Sequence, residues 1–281
     1  MENRIVTNEL LNQFAQYLFE EERSEGTVEK YKRDMKAFQL WLNGNEVTQE
    51  KIQNWKEVLL EKGLKPTTIN AKLAALKVFC RWANWMEIKI KVLKLQRPIF
   101  REHQKELTRD EYRHLCATAQ TQGKERLALV MEVICGTGIR VSELRYITVK
   151  AIKEGKAEIR LKGKVRTILL PGKLCHKLMK FAKRKNIVEG EIFITRTGRS
   201  LSRKQIWAEM KALCEVAGVE PSKVFPHNLR HLFAVCFYKA CRDVVKLADI
   251  LGHSNVDTTR IYLISSGLEH ARILEQLELI F

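Results

Sequence analysis

The sequence predicts a mainly α-helical protein of two units, the second interrupted by a small antiparallel β-sheet. Three observations predict it. Apolar residues recur at spacings of three and four through the first hundred positions. A stretch of alternating apolar and basic residues, "IKIKVLKLQRPIFREHQKE", then runs into Pro98 and stops regular structure. Two short β-prone runs, "KAEIRL" and "RTILLP", break an otherwise helical second part.

The first helix is expected around Asn8 to Glu22, with Leu10, Leu11, Phe14, Tyr17 and Leu18 on its inner face. A second follows from Thr27, carrying Val28, Tyr31, Met35, Phe38, Trp41 and Leu42. "GNEVTQE" breaks it and offers Thr48 as a cap for a third helix with Ile52, Trp55 and Leu59. Pro66 and Thr67 open a fourth, with Ile69, Leu73, Leu76, Phe79 and Ala83 inside, which completes a four-helix unit with short loops. The second unit begins at "LTRDEYRHL", where Thr108 and Glu111 form a capping box. Its hairpin joins the two β-prone runs through "KGKV", "EIFIT" offers a third strand, and "VSEL" resumes a helix. Ser202 and Gln205 make another capping box, ahead of Ile206, Met210, Leu213 and Ala217. No internal repeat or low-complexity segment is visible.

Charge narrows the partner. The 281 residues hold 50 Lys+Arg against 33 Asp+Glu, a net charge of +17, which suits a polyanion. Residues 1–100 hold 17 basic and 13 acidic side chains, leaving 33 basic and 20 acidic in 101–281, so the second part carries most of the excess. No apolar run is long enough to span a bilayer, which favours nucleic acid over a membrane. The N-terminus has no basic segment leading into an apolar run, as a secretory signal would. The seven cysteines are odd in number and include no CxxC, so they read as reduced core residues of a cytoplasmic protein.

Chemistry-bearing residues gather late in the chain. His227 and His231 are four apart and would share one helix face, but no HExxH is present and Arg230 between them repels a cation, so no metal is expected. No GxSxG occurs, and "CGTGIR" is neither a Walker loop nor a GxGxxG turn. A phosphodiester is best held by arginines, whose planar forks bind two oxygens and keep their charge. Arg140 ends "GTGIR" and Arg230 lies in "HNLRH". Each arginine alone also fits a surface salt bridge, and His227, His253 and Tyr262 alone fit a loop or core. The set, in the basic half of the chain, points to phosphate.

The ordered set resembles the tyrosine recombinases, the phage-integrase or Xer type. The matching residues are Arg140 in "GTGIRVSEL", the "KGK" hairpin with Lys162, His227 and Arg230 in "HNLRH", His253 in "LGH", and Tyr262 in "TTRIY". "SEGTVEKYKRDMKAF" and "KPTTINAKLAALKVFCRW" are similar to the family's helical core-binding domain, so the resemblance covers nearly the whole chain. It implies a C-shaped clamp on double-stranded DNA: a core-binding domain over 1–96, a linker over 97–106, and a catalytic domain over 107–281 ending in a tail at 266–281. It implies site-specific recombination through a covalent 3′-phosphotyrosyl intermediate. Tyr262 attacks the phosphate, the arginines and histidines hold its oxygens, and Lys162 protonates the leaving 5′ oxygen. The aryl ester conserves the bond energy, so no ATP, metal or other cofactor is needed. The resemblance further implies a homo-tetramer on two sites in the nucleoid, closed by the tail's stripe of Leu268, Ala271, Leu274 and Leu277, and no arm-binding domain.

The hairpin is one residue shorter than the family's "GKGxKxR", so Lys164 is the alternative to Lys162, and Leu232 stands where the family has threonine or serine. Glu143, one helical turn after Arg140, is placed to orient a neighbour. On a straight helix His253 and Tyr262 would be about 13.5 Å apart, so a break is expected just after His253, with Tyr262 on the short helix that follows. In the first unit Lys65, Thr67, Thr68, Asn70, Lys72 and Lys77 surround the start of the fourth helix, where a helix end and lysines suit phosphate contacts; an ordinary polar face is the alternative. Two other functions fit the same clamp. One is supercoil relaxation of the type IB topoisomerase kind, and the other is DNA binding without catalysis. The complete set of site residues argues against the second.

Overall fold

The computed structural model describes residues 4–95, 106–161, 164–253, 255–262 and 275–277. Contacts divide the chain into two units, Met1–Arg97 and Pro98–Phe281.

The first unit holds four helices, α1 (Asn8–Glu20), α2 (Glu25–Leu42), α3 (Gln49–Glu61) and α4 (Pro66–Trp82). Thr7 caps α1 and Thr48 caps α3 through side-chain oxygens that accept backbone N–H groups. Pro66 opens α4 at its first turn, where a missing N–H costs nothing. The apolar faces meet in a core around Phe14, Phe38, Trp55, Leu73 and Phe79. Phe14 and Phe79 pack edge to face with ring centroids 5.1 Å apart. Burial of each such side chain contributes about 1.5–3 kcal/mol.

The second unit contains α5 (Arg109–Thr121), α6 (Glu125–Thr137), α7 (Val149–Glu154), α8 (Gly172–Arg184), α9 (Arg203–Ala217), α10 (Pro226–Cys241), α11 (Val244–Leu251) and α12 (Asp257–Arg260). Both expected capping boxes are present, Thr108 with Glu111 and Ser202 with Gln205. Helix α6 is apolar on nearly every side and runs through the middle of the core, against α5, α8, α9 and α10.

Strands β1 (Lys156–Leu161) and β2 (Lys164–Leu169) pair antiparallel, with Leu161 opposite Lys164. The connection is therefore two residues, not the four of "KGKV". Among the described residues "EIFIT" forms no third strand. It makes only isolated bridges, Thr148 with Glu191 and Ile194 with Ser200, while Ile192 and Phe193 turn into the core. The "VSEL" segment is a 3-10 turn, Val141–Tyr146, rather than an α-helix. The cysteines are unpaired, but they are not uniformly core residues: Cys80, Cys116 and Cys214 are buried and Cys241 is exposed. No helix among the described residues is long and apolar enough to cross a membrane. Lys162 and all of the tail except 275–277 lie outside the described residues.

Candidate active site

Two glycine-capped helix ends build the centre of the site. Helix α6 stops at Gly138, whose φ of +69° reverses the chain, and a Cβ there would run into the Phe233 ring. Buried Ile139 anchors the turn, and Arg140 caps the 3-10 turn that follows. Helix α11 stops in the same way at Gly252, with φ +63°. His253 follows at once, its N–H bonded to the Ala248 carbonyl.

Arg230 sits one turn inside α10 and is 3% exposed. Its Nη1 donates to the Gly138 carbonyl at 2.6 Å and its Nη2 to the Leu251 carbonyl at 2.7 Å. It thus ties together the C-terminal ends of α6 and α11, whose dipoles favour a cation. Burial first, and then the Arg140 charge, lower its pKa to about 10, which leaves it protonated at neutral pH.

Arg230 Nη2 also lies 3.0 Å from His253 Nε2, and His253 Nδ1 lies 2.9 Å from Thr259 Oγ1. Burial, followed by the charges of Arg230, Arg140 and Arg166, lowers the His253 pKa to about 4. The folded ring is neutral at pH 7, whereas an unfolded chain takes up the proton near the ordinary value of 6.5. The unfolded state therefore binds more protons between those values, and stability falls as pH drops from about 6.5 toward 4. The His253 ring should titrate with a midpoint near 4 in an NMR pH series of the DNA-free protein. A midpoint at the ordinary histidine value would contradict this geometry.

Glu143 is fully buried and joins two arginines. Its Oε2 accepts from the Arg140 N–H at 2.7 Å and from Arg166 Nη2 at 2.5 Å, and its Oε1 accepts from Arg140 Nη1 at 3.0 Å. Three donors satisfy a carboxylate that would otherwise be costly to bury. Glu143 thus orients Arg140, whose side chain stays 42% exposed and whose Nη2 lies 3.5 Å from the Gly252 carbonyl. Sequence reasoning missed Arg166. Its Nη1 donates to the Ile250 carbonyl at 2.8 Å, so it fastens β2 to the end of α11 and lies across Gly252. A signal was available: Arg166 alternates in phase with buried Ile168 and Leu170, and a charge on the inner face of a strand needs a partner.

Tyr262 lies two residues beyond α12 and is 5% exposed, packed with Ala234, Leu247 and Leu251. Its ring is nearly parallel to that of His253, with centroids 6.1 Å apart, and it tilts against buried His231 at 5.1 Å. Helix α11 ends at Leu251 and α12 begins at Asp257, so the expected break after His253 is present and opens one residue earlier, at Gly252. His227 is on the exposed first turn of α10 while His231 is buried, so the two do not present a shared ligand face. No group of three or more potential metal ligands occurs among the described residues. Leu232 is a buried core residue. Lys164 opens β2 opposite Leu161.

In the first unit Lys65, Thr67, Thr68 and Lys77 are exposed around the start and the outer side of α4. Asn70 and Lys72 are engaged internally. Both polar atoms of the Asn70 amide bond the backbone of Leu93, and Lys72 Nζ lies 3.1 Å from buried Asp34.

Residues 105–267 match the Phage integrase family, and residues 11–87 match the phage integrase N-terminal SAM-like domain. Tyrosine recombinase XerA of Pyrococcus furiosus is 28% identical over 291 residues, covering 99% of each chain. Tyrosine recombinase XerC of Roseiflexus castenholzii is 27% identical, covering 91% of this chain and 88% of its own. Among solved structures, a lambda integrase dimer bound to a core site superposes with a TM-score of 0.73 at 18% identity, covering 91% of this chain and 94% of that one. A post-cleavage complex of the XerH recombinase with its DNA gives 0.70 at 18% identity, covering 90% and 79%. These likenesses agree with the two-unit, mainly helical fold, and the family matches extend across both units. The chain belongs to the phage integrase family of tyrosine recombinases.

Proposed function

We propose that this chain cleaves and rejoins DNA at specific sites with Tyr262 as the nucleophile, passing through a covalent 3′-phosphotyrosyl intermediate. The observation that carries the reading is the convergence of Arg140, Arg230 and His253 on one point, with Tyr262 stacked beside it. A tyrosine hydroxyl, with an ordinary pKa of about 10, is a weak nucleophile at neutral pH. It needs a proton acceptor and an electrophile flanked by positive charge. His227, exposed on α10, can take the proton. Arg140 and Arg230 face the phosphate oxygens, where charge grows as five-coordinate phosphorus forms, and His253 steadies Arg230. Lys162 or Lys164 on the hairpin protonates the departing 5′ oxygen. No step calls for a metal or a nucleotide cofactor.

Lys65, Thr67, Thr68 and Lys77 are the backbone contacts of the first unit in this reading, while Asn70 and Lys72 act indirectly by holding α4. The domains follow the proposed bounds of 1–96, 97–106 and 107–281. Four copies assemble on two sites, as the apolar stripe of the C-terminal sequence suggests, and the enzyme works on DNA in the cytoplasm.

A plasmid carrying two recombination sites tests the reading. Recombinant product together with a protein–DNA adduct on a denaturing gel is expected, and both should persist in EDTA. Relaxation without exchange would favour the topoisomerase-like alternative. Loss of cleavage in EDTA with recovery in magnesium would overturn the mechanism. Affinity should also fall steeply with salt, with a log–log slope of roughly −5 or steeper for several phosphate contacts. A flat response would mean that the +17 charge serves another purpose.

A further inference from the structure

The hydrogen bonds of His253 fix where its proton sits. Arg230 Nη2 is 3.0 Å from Nε2, and a guanidinium can only donate. Nε2 must therefore accept, and the neutral ring must carry its hydrogen on Nδ1. Nδ1 in turn faces Thr259 Oγ1 at 2.9 Å, which accepts that hydrogen. Thr259 is fully buried, so solvent is not a competing partner for its hydroxyl. Its backbone carbonyl also accepts the Tyr262 N–H at 3.0 Å. One residue thus touches both the histidine and the chain segment that bears the tyrosine.

We propose that Thr259 is a positioning residue for the cleavage reaction: by accepting the Nδ1 hydrogen it holds His253 in the tautomer whose Nε2 lone pair faces Arg230. The inference rests on the tyrosine chemistry proposed above. In that chemistry Arg230 faces the phosphate, and the Nε2 lone pair of His253 holds its Nη2 in place. A ring with its hydrogen on Nε2 would set two donors against each other at Arg230 and would have no lone pair there. The logic is that of any catalytic histidine whose second nitrogen is held by an orienting group, with a hydroxyl doing the holding.

Thr259→Val keeps the shape and removes the hydroxyl, whereas Thr259→Ser keeps the hydroxyl and removes a methyl. The proteins are labelled with ring-15N histidine, and the His253 signals are assigned by their loss in His253→Asn. Long-range 1H–15N spectra then report which nitrogen carries hydrogen, and single-turnover cleavage of a nicked substrate reports the chemistry. In the wild type, Nδ1 should give the protonated signature and Nε2 the lone-pair signature. Thr259→Val should lose that pattern and cleave about 10–100-fold more slowly, the usual cost of removing an orienting partner. Thr259→Ser should restore both. The proposal is overturned if wild-type His253 carries its hydrogen on Nε2, or if the tautomer in Thr259→Val is unchanged. It is equally overturned if cleavage is unchanged when the tautomer moves, or if serine fails to rescue. A wild-type protein that forms no adduct would defeat the proposed function instead, while the tautomer measurement would still stand.

Discussion

Tyr262→Phe binds DNA as the wild type does and forms no covalent adduct. The ring is nearly buried, among Ala234, Leu247 and Leu251 and against His231. Phenylalanine keeps that packing and loses only the oxygen. Single-site affinity on native gels and the thermal midpoint should therefore hold, while adduct on a nicked suicide substrate drops below detection. An adduct at wild-type yield from this variant would remove Tyr262 from the role of nucleophile.

The two arginines should separate chemistry from architecture. Arg230→Ala and Arg140→Ala should each slow cleavage by roughly 10²–10³, the scale of losing one donor to a charged transition state. Their effects on stability should differ. Arg230 is buried and bonds the carbonyls of Gly138 and Leu251, so alanine leaves two acceptors at helix ends without a donor, at about 1–3 kcal/mol each. The Arg140 side chain is partly exposed, and Glu143 keeps both Arg166 and the residue-140 N–H when it is truncated. Thermal denaturation beside single-turnover cleavage is the measurement. A lowered midpoint for Arg230→Ala alone is expected. Equal midpoints for the two variants, or wild-type cleavage by either, would contradict the geometry.

The comparison of sequence with structure turns on which interactions are local. The first four helices were legible because their apolar spacing and their caps lie within a few residues of one another, as with Thr48 and Ile52. The pairing of Arg140 with Glu143 was legible for the same reason. Arg166 was not, because its partners lie 23 and 84 residues away along the chain. Thr259 looked like one polar residue in "DTTRIY", and only the fold shows that its hydroxyl is sealed against His253. The third strand failed because "EIFIT" pairs only through isolated bridges, to Thr148 and Ser200, while its Ile192 and Phe193 are buried in the core. Asn70 and Lys72 read as surface contacts until tertiary structure supplied Leu93 and Asp34 as their partners. Lys162 and all of the tail except 275–277 lie outside the described residues, so their assignments still rest on the sequence.

The Glu143 link has an electrostatic consequence. Arg140, Arg166 and Arg230 bring three positive charges to one place, Glu143 returns one negative charge, and His253 is neutral at pH 7. These residues are left with two positive charges in excess, softened by the carbonyl ends of α6 and α11. A phosphodiester at rest carries one negative charge. The five-coordinate species formed by attack of a deprotonated tyrosine carries two. On the proposed assignment, the receptor is under-neutralised by the substrate and matched by the species formed on the way to cleavage, which is the condition for binding energy to lower a barrier rather than deepen a resting complex.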